Sequence, residues 1–232
     1  MAAAEPQRHR VTDWNGYARQ WSALHGGYDP RAAGVLVRGW LRLAYVVARP
    51  LAARGVRPSA VTSAGVAVAV AVPVVAGFGA SWGPVGALLV LLGAVADSAD
   101  GALAVVAGRE TRLGRVYDSA ADRVSEAAWL VALFLLGAPG WLVAGCLGVT
   151  WLHEYVRARA TVAGMEGIGA VTVAERPTRV LLTLFGLLAV GVAALVAPAH
   201  TGTTATVTAA VWAALGTAGL AHLSAAVVRE LR

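Results

Sequence analysis

Four aspartates stand within an otherwise apolar stretch. Asp97 and Asp100 are three residues apart, and Asp118 and Asp122 are four apart. On helices, each spacing puts both carboxylates on one face. An ionised side chain at membrane depth costs several kcal/mol on most scales, so four of them in such a context call for a use. The economical use is a cluster of hard oxygen ligands for Mg²⁺ or Mn²⁺, which in turn hold a phosphate-bearing substrate. Four carboxylates exceed the charge that one ion offsets, which favours two ions. One carboxylate is then available as a base toward an incoming hydroxyl.

Two other readings of the same acids stay open at this point. A structural ion-pair network would match them to Arg109, Arg112, Arg115 and Arg123, but would not require the glycines Gly101 and Gly114 that flank them. A divalent-cation or small-solute transporter would place acidic residues on several spans along a crossing path, whereas here they cluster on two.

The elements that must position these residues follow from composition. Of 232 residues 58% are hydrophobic and the mean hydropathy is +0.65, beyond a soluble globular domain and in the range of a multi-pass membrane protein. Apolar stretches of spanning length occur near 60–80, 84–107, 114–137, 140–161, 178–198 and 204–228, so the expected fold is all-α with six transmembrane helices. Gly137-Ala138-Pro139-Gly140 marks the turn between the third and fourth. All 19 basic residues are arginine, and they fall before span one, between spans two and three, between spans four and five, and after span six. The three opposite loops hold none. The positive-inside rule therefore puts both termini and the aspartates on the cytoplasmic side of the cell membrane. The formal net charge of +6 suits anionic head groups better than nucleic acid, because no aromatic-interleaved basic groove accompanies it. Cys146 is the only cysteine, which excludes an intramolecular disulfide and argues against zinc. The first 30 residues contain no apolar core of a signal peptide.

Three segments are expected: a mobile or loosely docked tail over 1–30, an interfacial amphipathic helix over 31–56, and the six-helix domain over 57–232. In the second segment Arg31, Arg38, Arg42 and Arg49 share one stripe at about 100° per residue, opposite Leu36, Trp40, Leu43, Val47 and Leu51. Spans two and three, joined by a short connection, must be antiparallel neighbours, so both aspartate pairs lie near their cytoplasmic ends.

The run D-x-x-D-G-x-x-A, nine further residues, then G-x-x-x-D-x-x-x-D resembles the signature of the CDP-alcohol phosphatidyltransferase family. The resemblance extends over roughly residues 33 to 228 and implies a membrane enzyme that moves a phosphatidyl or similar group from a CDP-linked donor to an alcohol, releasing CMP. It implies that Asp97, Asp100, Asp118 and Asp122 are metal ligands, with Asp122 also the catalytic base, and that the enzyme is a homodimer. Gly101, Ala104 and Gly114 match the family's small residues on the donor side, and Thr111 matches its hydroxyl residue before the second glycine. Pro58-Ser59-Ala60-Val61-Thr62 resembles the family's P-N-x-x-T entry to the first span, with serine in place of asparagine. One departure concerns the donor: the pattern has an arginine after the alanine, where this chain has Val105. Arg109, one turn further on the same helical face, is the expected substitute, as are Arg112 and Arg115. The departure leaves open a different donor, or a non-catalytic member that binds lipid.

Tyr155-Val156-Arg157-Ala158-Arg159-Ala160 and Glu175-Arg176-Pro177-Thr178-Arg179 resemble segments of actinobacterial phosphatidylinositol phosphate synthases. That resemblance implies an inositol phosphate acceptor received by Arg157, Arg159, Arg176 and Arg179, whose planar guanidinium groups suit a phosphate monoester. Glycerol 3-phosphate would satisfy the same arginines, and a loop that merely sets topology would also contain them. His153 and Glu154 stand where they could touch the acceptor or pair with a nearby arginine.

Overall fold

Capping chemistry marks several of the helix ends. The computed structural model describes residues 13–165 and 172–232. Asp13 caps α1 (Trp14–Leu24), its Oδ1 accepting from the Gly16 amide at 2.6 Å. Helix α2 spans Val35–Ala53 and α3 spans Pro58–Ala76, with Pro58 in the first helical position that proline favours. Helix α4 (Gly83–Ala107) ends in a paired C-terminal closure. The Arg109 amide reaches the Ala104 carbonyl at 2.9 Å, the Gly108 amide reaches Val105 at 3.2 Å, and Gly108 takes φ +62°. Thr111 caps α5 (Arg112–Leu135) by accepting from the Gly114 amide at 2.9 Å. The turn expected at 137–140 separates α5 from α6 (Gly140–Val162), and α7 (Arg176–Val196) and α8 (Thr201–Glu230) complete the chain.

The described residues contain no strand. Among the described residues, four helical segments are long and apolar enough to cross a membrane: Pro58–Ala76, Ala80–Ala107, Arg176–Val196 and Pro198–Glu230. Six spans were expected. Helices α5 and α6 are of spanning length, but they carry Arg112, Arg115, Asp118, Asp122, Arg123 and Glu126 in one and Glu154, Arg157 and Arg159 in the other.

The chain divides into two units, residues Met1–Gly65 with Val95–Ala120, and Val66–Ala94 with Ala121–Arg232. In the first, Tyr17, Ala44, Tyr45, Ala48, Ala52, Ala102, Leu103, Val105 and Val106 form a buried cluster. Here the expected tail is corrected. Residues 14–24 are helical, and Trp14, Tyr17 and Tyr45 are in mutual ring contact at 5.3–5.9 Å. Large aromatic area, rather than length, anchors so short a helix, and burial raises the Tyr17 phenol well above its ordinary pKa. The first part of the tail, including Arg8 and Arg10, lies outside the described residues.

In the second unit a larger core gathers Val72, Val90, Trp129, Leu130, Leu133, Leu187, Val190 and Trp212. Small residues on α7 and α8 set its helix contacts. A side chain at Gly186 would strike Thr208, one at Gly191 would strike Pro84, and ones at Gly216 and Gly219 would strike Val149 and Ala174. These are contacts within one chain. Cys146 is buried, its thiol donating to the Ala209 carbonyl at 3.2 Å.

Candidate active site

Three of the four aspartates lie in the first unit. Asp97 and Asp100 sit on α4 and Asp118 on α5, and a carboxylate oxygen of Asp97 comes within 4.8 Å of one from Asp118. Asp122 follows on the same continuous helix as Asp118, one turn on, which keeps an oxygen of each within that distance. Hard anionic oxygens so spaced fit a small divalent cation, whose metal–oxygen bonds are about 2.0–2.1 Å for Mg²⁺.

Asp100 is 5% exposed, and the Thr62 hydroxyl donates to its Oδ2 at 2.5 Å. The proline that starts α3 thus places a threonine one turn in, where its hydroxyl orients a candidate ligand. That gives Pro58 and Thr62, expected on the donor side, a role toward Asp100. Around them Trp40 Nε1 donates to Ser98 Oγ at 2.8 Å, and Ser63 and Tyr117 share a hydrogen bond of 2.8 Å. Of these four residues spacing had marked only Trp40, as part of an apolar stripe.

The remaining donor-side residues separate into two groups. Gly101 is exposed, and a side-chain carbon there would meet nothing within 4 Å, so protein packing does not demand this glycine. Ala104 is half-buried, and Arg112 and Arg115 are exposed on the first turn of α5. Gly114 and Thr111 serve the cap of α5.

Arg109 corrects the expectation made for it. Because Gly108 closes α4 in the left-handed region, Arg109 leaves the helical face, and its Nη1 donates to the Gly55 carbonyl at 3.3 Å. Val105, in turn, is 4% exposed and belongs to the apolar cluster of Tyr17, Tyr45 and Ala48. Its side chain is core.

The second unit gathers the acceptor-side residues into one ionic cluster. Asp122 pairs with Arg176 and lies 3.8 Å from Arg123, and the Arg176 guanidinium sits 5.9 Å from the Trp129 ring centroid. Glu126, fully buried, accepts from Arg123 Nη2 at 3.1 Å and from Arg179 Nη1 at 3.1 Å. Glu154 Oε1 receives Arg123 Nη1 at 3.0 Å and Arg179 Nη2 at 3.1 Å. Arg157 pairs with Glu175 at 2.6 Å, and the Thr172 amide and hydroxyl reach the same oxygen at 2.9 and 3.0 Å. Burial works against the Glu175 charge, but Thr172 and Arg157 outweigh it and hold the carboxyl below its usual range. His153 Nε2 meets the Thr172 hydroxyl at 3.2 Å. Arg159 is exposed.

So Arg157, Arg176, Arg179 and His153 do converge, each already engaged with its own partner. Of the arginines considered for a structural network with the aspartates, Arg123 is the one seen paired with Asp122. Glu126 and Thr172 were missed. A signal existed for Glu126, which extends the four-residue step of Asp118 and Asp122, but nothing local distinguishes Thr172.

Helices long and apolar enough to span a membrane, with carboxylates on two of the chain's helices and arginines on two more, define a membrane protein built to handle phosphate-bearing molecules. A profile of the CDP-alcohol phosphatidyltransferase family matches residues 55–223, and the chain belongs to that family. The phosphatidylinositol phosphate synthase of Mycolicibacterium smegmatis is 34% identical over 155 residues, covering 63% of this chain and 68% of that protein. The archaetidylinositol phosphate synthase of Pyrococcus horikoshii is 34% identical over 110 residues, 45% of this chain and 58% of that protein. Among solved structures, phosphatidylinositol phosphate synthase of Mycobacterium tuberculosis with CDP-DAG bound superposes with a TM-score of 0.61 at 26% identity, covering 80% of this chain and 94% of that one. The same enzyme in complex with manganese and citrate gives 0.62 at 25% identity, covering 80% and 88%.

Proposed function

We propose that this chain transfers a phosphatidyl group from CDP-diacylglycerol, or a similar CDP-linked donor, to a polar phosphorylated alcohol such as inositol phosphate, with release of CMP. The observation that carries this reading is the carboxylate cluster of α4 and α5, spaced for a divalent cation. Glycerol 3-phosphate is the second acceptor to test, since the same arginines suit it.

Asp97, Asp100, Asp118 and Asp122 would hold the divalent ions, two of Mg²⁺ or Mn²⁺. When bound, those ions neutralise the pyrophosphate and stabilise the charge that develops as it is displaced. Gly101 leaves room for the donor, and Arg112 and Arg115 supply charge toward it. Asp122 removes the acceptor hydroxyl proton. The freed oxygen bonds to the lipid-side phosphorus, and the bond to the CMP oxygen breaks. Arg176 ties this base to the acceptor arginines, so acceptor binding and proton transfer share one contact.

Helices α3 to α8 would span the cell membrane, with α2 in the head-group plane and both termini and the site on the cytoplasmic side, as the distribution of arginines favours. A homodimer is the expected assembly. The test is CMP release from CDP-diacylglycerol by the purified chain with Mg²⁺ or Mn²⁺ against inositol 1-phosphate, glycerol 3-phosphate, inositol and serine. Acceptor-dependent release that Asp122→Asn abolishes is expected. No release with any acceptor and either metal would sink the proposal.

A further inference from the structure

The ionic cluster of the second unit contains two glutamates with unlike surroundings. Glu126 is fully buried and accepts from two guanidinium groups, from Arg123 Nη2 and Arg179 Nη1, each at 3.1 Å. A further nitrogen of each, Arg123 Nη1 and Arg179 Nη2, lies against one atom, Glu154 Oε1, at 3.0 and 3.1 Å. His153, 1% exposed, places its Nδ1 3.7 Å from the same oxygen. That is beyond hydrogen-bond reach, and Nδ1 has no hydrogen-bond partner among the described residues. Two guanidinium nitrogens and an imidazole nitrogen converging on one anionic oxygen make the donor set of an oxyanion site. The Glu154 side chain is 26% exposed, so it can turn outward where Glu126 cannot.

We propose that Glu154 is a specificity-determining residue: its carboxylate is an internal anion occupying the position between Arg123, Arg179 and His153 that a phosphate oxygen of the acceptor takes when it binds. This rests on the functional reading above, in which Arg179 receives that phosphate. Glu126 keeps the two guanidinium groups in place whether or not Glu154 is present. Glu154 sets how tightly phosphate is held, because an incoming phosphate must displace it. The consequence is a weakened affinity for phosphorylated acceptors and none for the uncharged part of the molecule.

The test is equilibrium binding to the purified full chain in detergent, by calorimetry, with inorganic phosphate, inositol 1-phosphate and free inositol as probes. Glu154→Gln keeps the size of the side chain and removes its charge. Both phosphate probes are expected to bind on the order of tenfold more tightly, the scale of one contact charge removed where water screens it strongly, while free inositol is unchanged. In turnover, KM for the phosphorylated acceptor falls and kcat changes less. Equal or weaker phosphate binding by the folded variant would show that Glu154 only braces the arginines and would overturn the proposal. Should Glu154→Gln not fold, Glu154→Asp withdraws the carboxylate by one methylene and is judged by the same criterion. Binding is read without turnover. If no variant releases CMP yet phosphate binds Glu154→Gln more tightly, the transferase reading fails and the anion position stands.

Discussion

The two units treat negative charge in opposite ways. In the first, Asp97, Asp100 and Asp118 gather like charges, and the hydrogen bond seen to the buried Asp100 comes from a neutral hydroxyl, Thr62. In the second, Glu126, Glu154, Glu175 and Asp122 each face a guanidinium group at ion-pair distance. Like charges brought together cost stability unless a cation arrives from outside. Matched charges neutralise each other and fix side-chain directions. The difference is that the first cluster brings like charges together, as a cation site does, whereas the second matches its acids with arginines and fixes their positions.

The largest break in that contrast is at the carboxylates. Asp97→Asn or Asp118→Asn is expected to lower metal-dependent CMP release by on the order of 10³-fold, since a bound ion supplies several kcal/mol of charge stabilisation. Thermal stability in detergent should hold or rise as repulsion is relieved. A parallel loss of stability and activity would erase the distinction between the units. In the second unit Glu126→Ala should do the reverse and destabilise the fold by about 3–5 kcal/mol, the cost of stranding a buried partner charge, as read by thermal unfolding. Val105→Arg buries a charge in the aromatic cluster of α1 and α2, and should destabilise by several kcal/mol without tightening donor binding. Tighter CDP-diacylglycerol binding by that variant would mean that position 105 faces the donor after all.

Thr62→Val removes the one hydroxyl on Asp100. Metal affinity should fall about 10–100-fold, the usual loss when a group that hydrogen-bonds a metal ligand is removed, measured by Mn²⁺ titration, with little effect on the arginine cluster. Gly101→Ala is the mildest change and the sharpest. A side-chain carbon there touches nothing, so helix propensity should raise stability by about 0.5–1 kcal/mol, while KM for the donor rises if the glycine keeps that space open for it. Unchanged donor KM would remove Gly101 from the donor side.

Helix placement was legible because it is local. The turn at 137–140 and the apolar runs are written in consecutive residues, and the helices lie within a few positions of them. The short tail helix escaped because its stability comes from Tyr17 and Trp14 meeting Tyr45, a contact across more than one element. Arg109 was misplaced because a helical face was extended past Gly108, whose positive φ ends it.

By itself, then, the sequence determined the all-helical membrane plan and the family, since hydropathy, spacing along a helix and side-chain chemistry suffice for each. Which arginine meets which acid was decided by tertiary structure alone. Glu126 and Arg179 are 53 residues apart, and no periodicity links them. The core side of Val105, the Thr62 brace on Asp100 and the convergence on Glu154 exist only once separate helices pack, because burial and ion pairing are properties of neighbours in space.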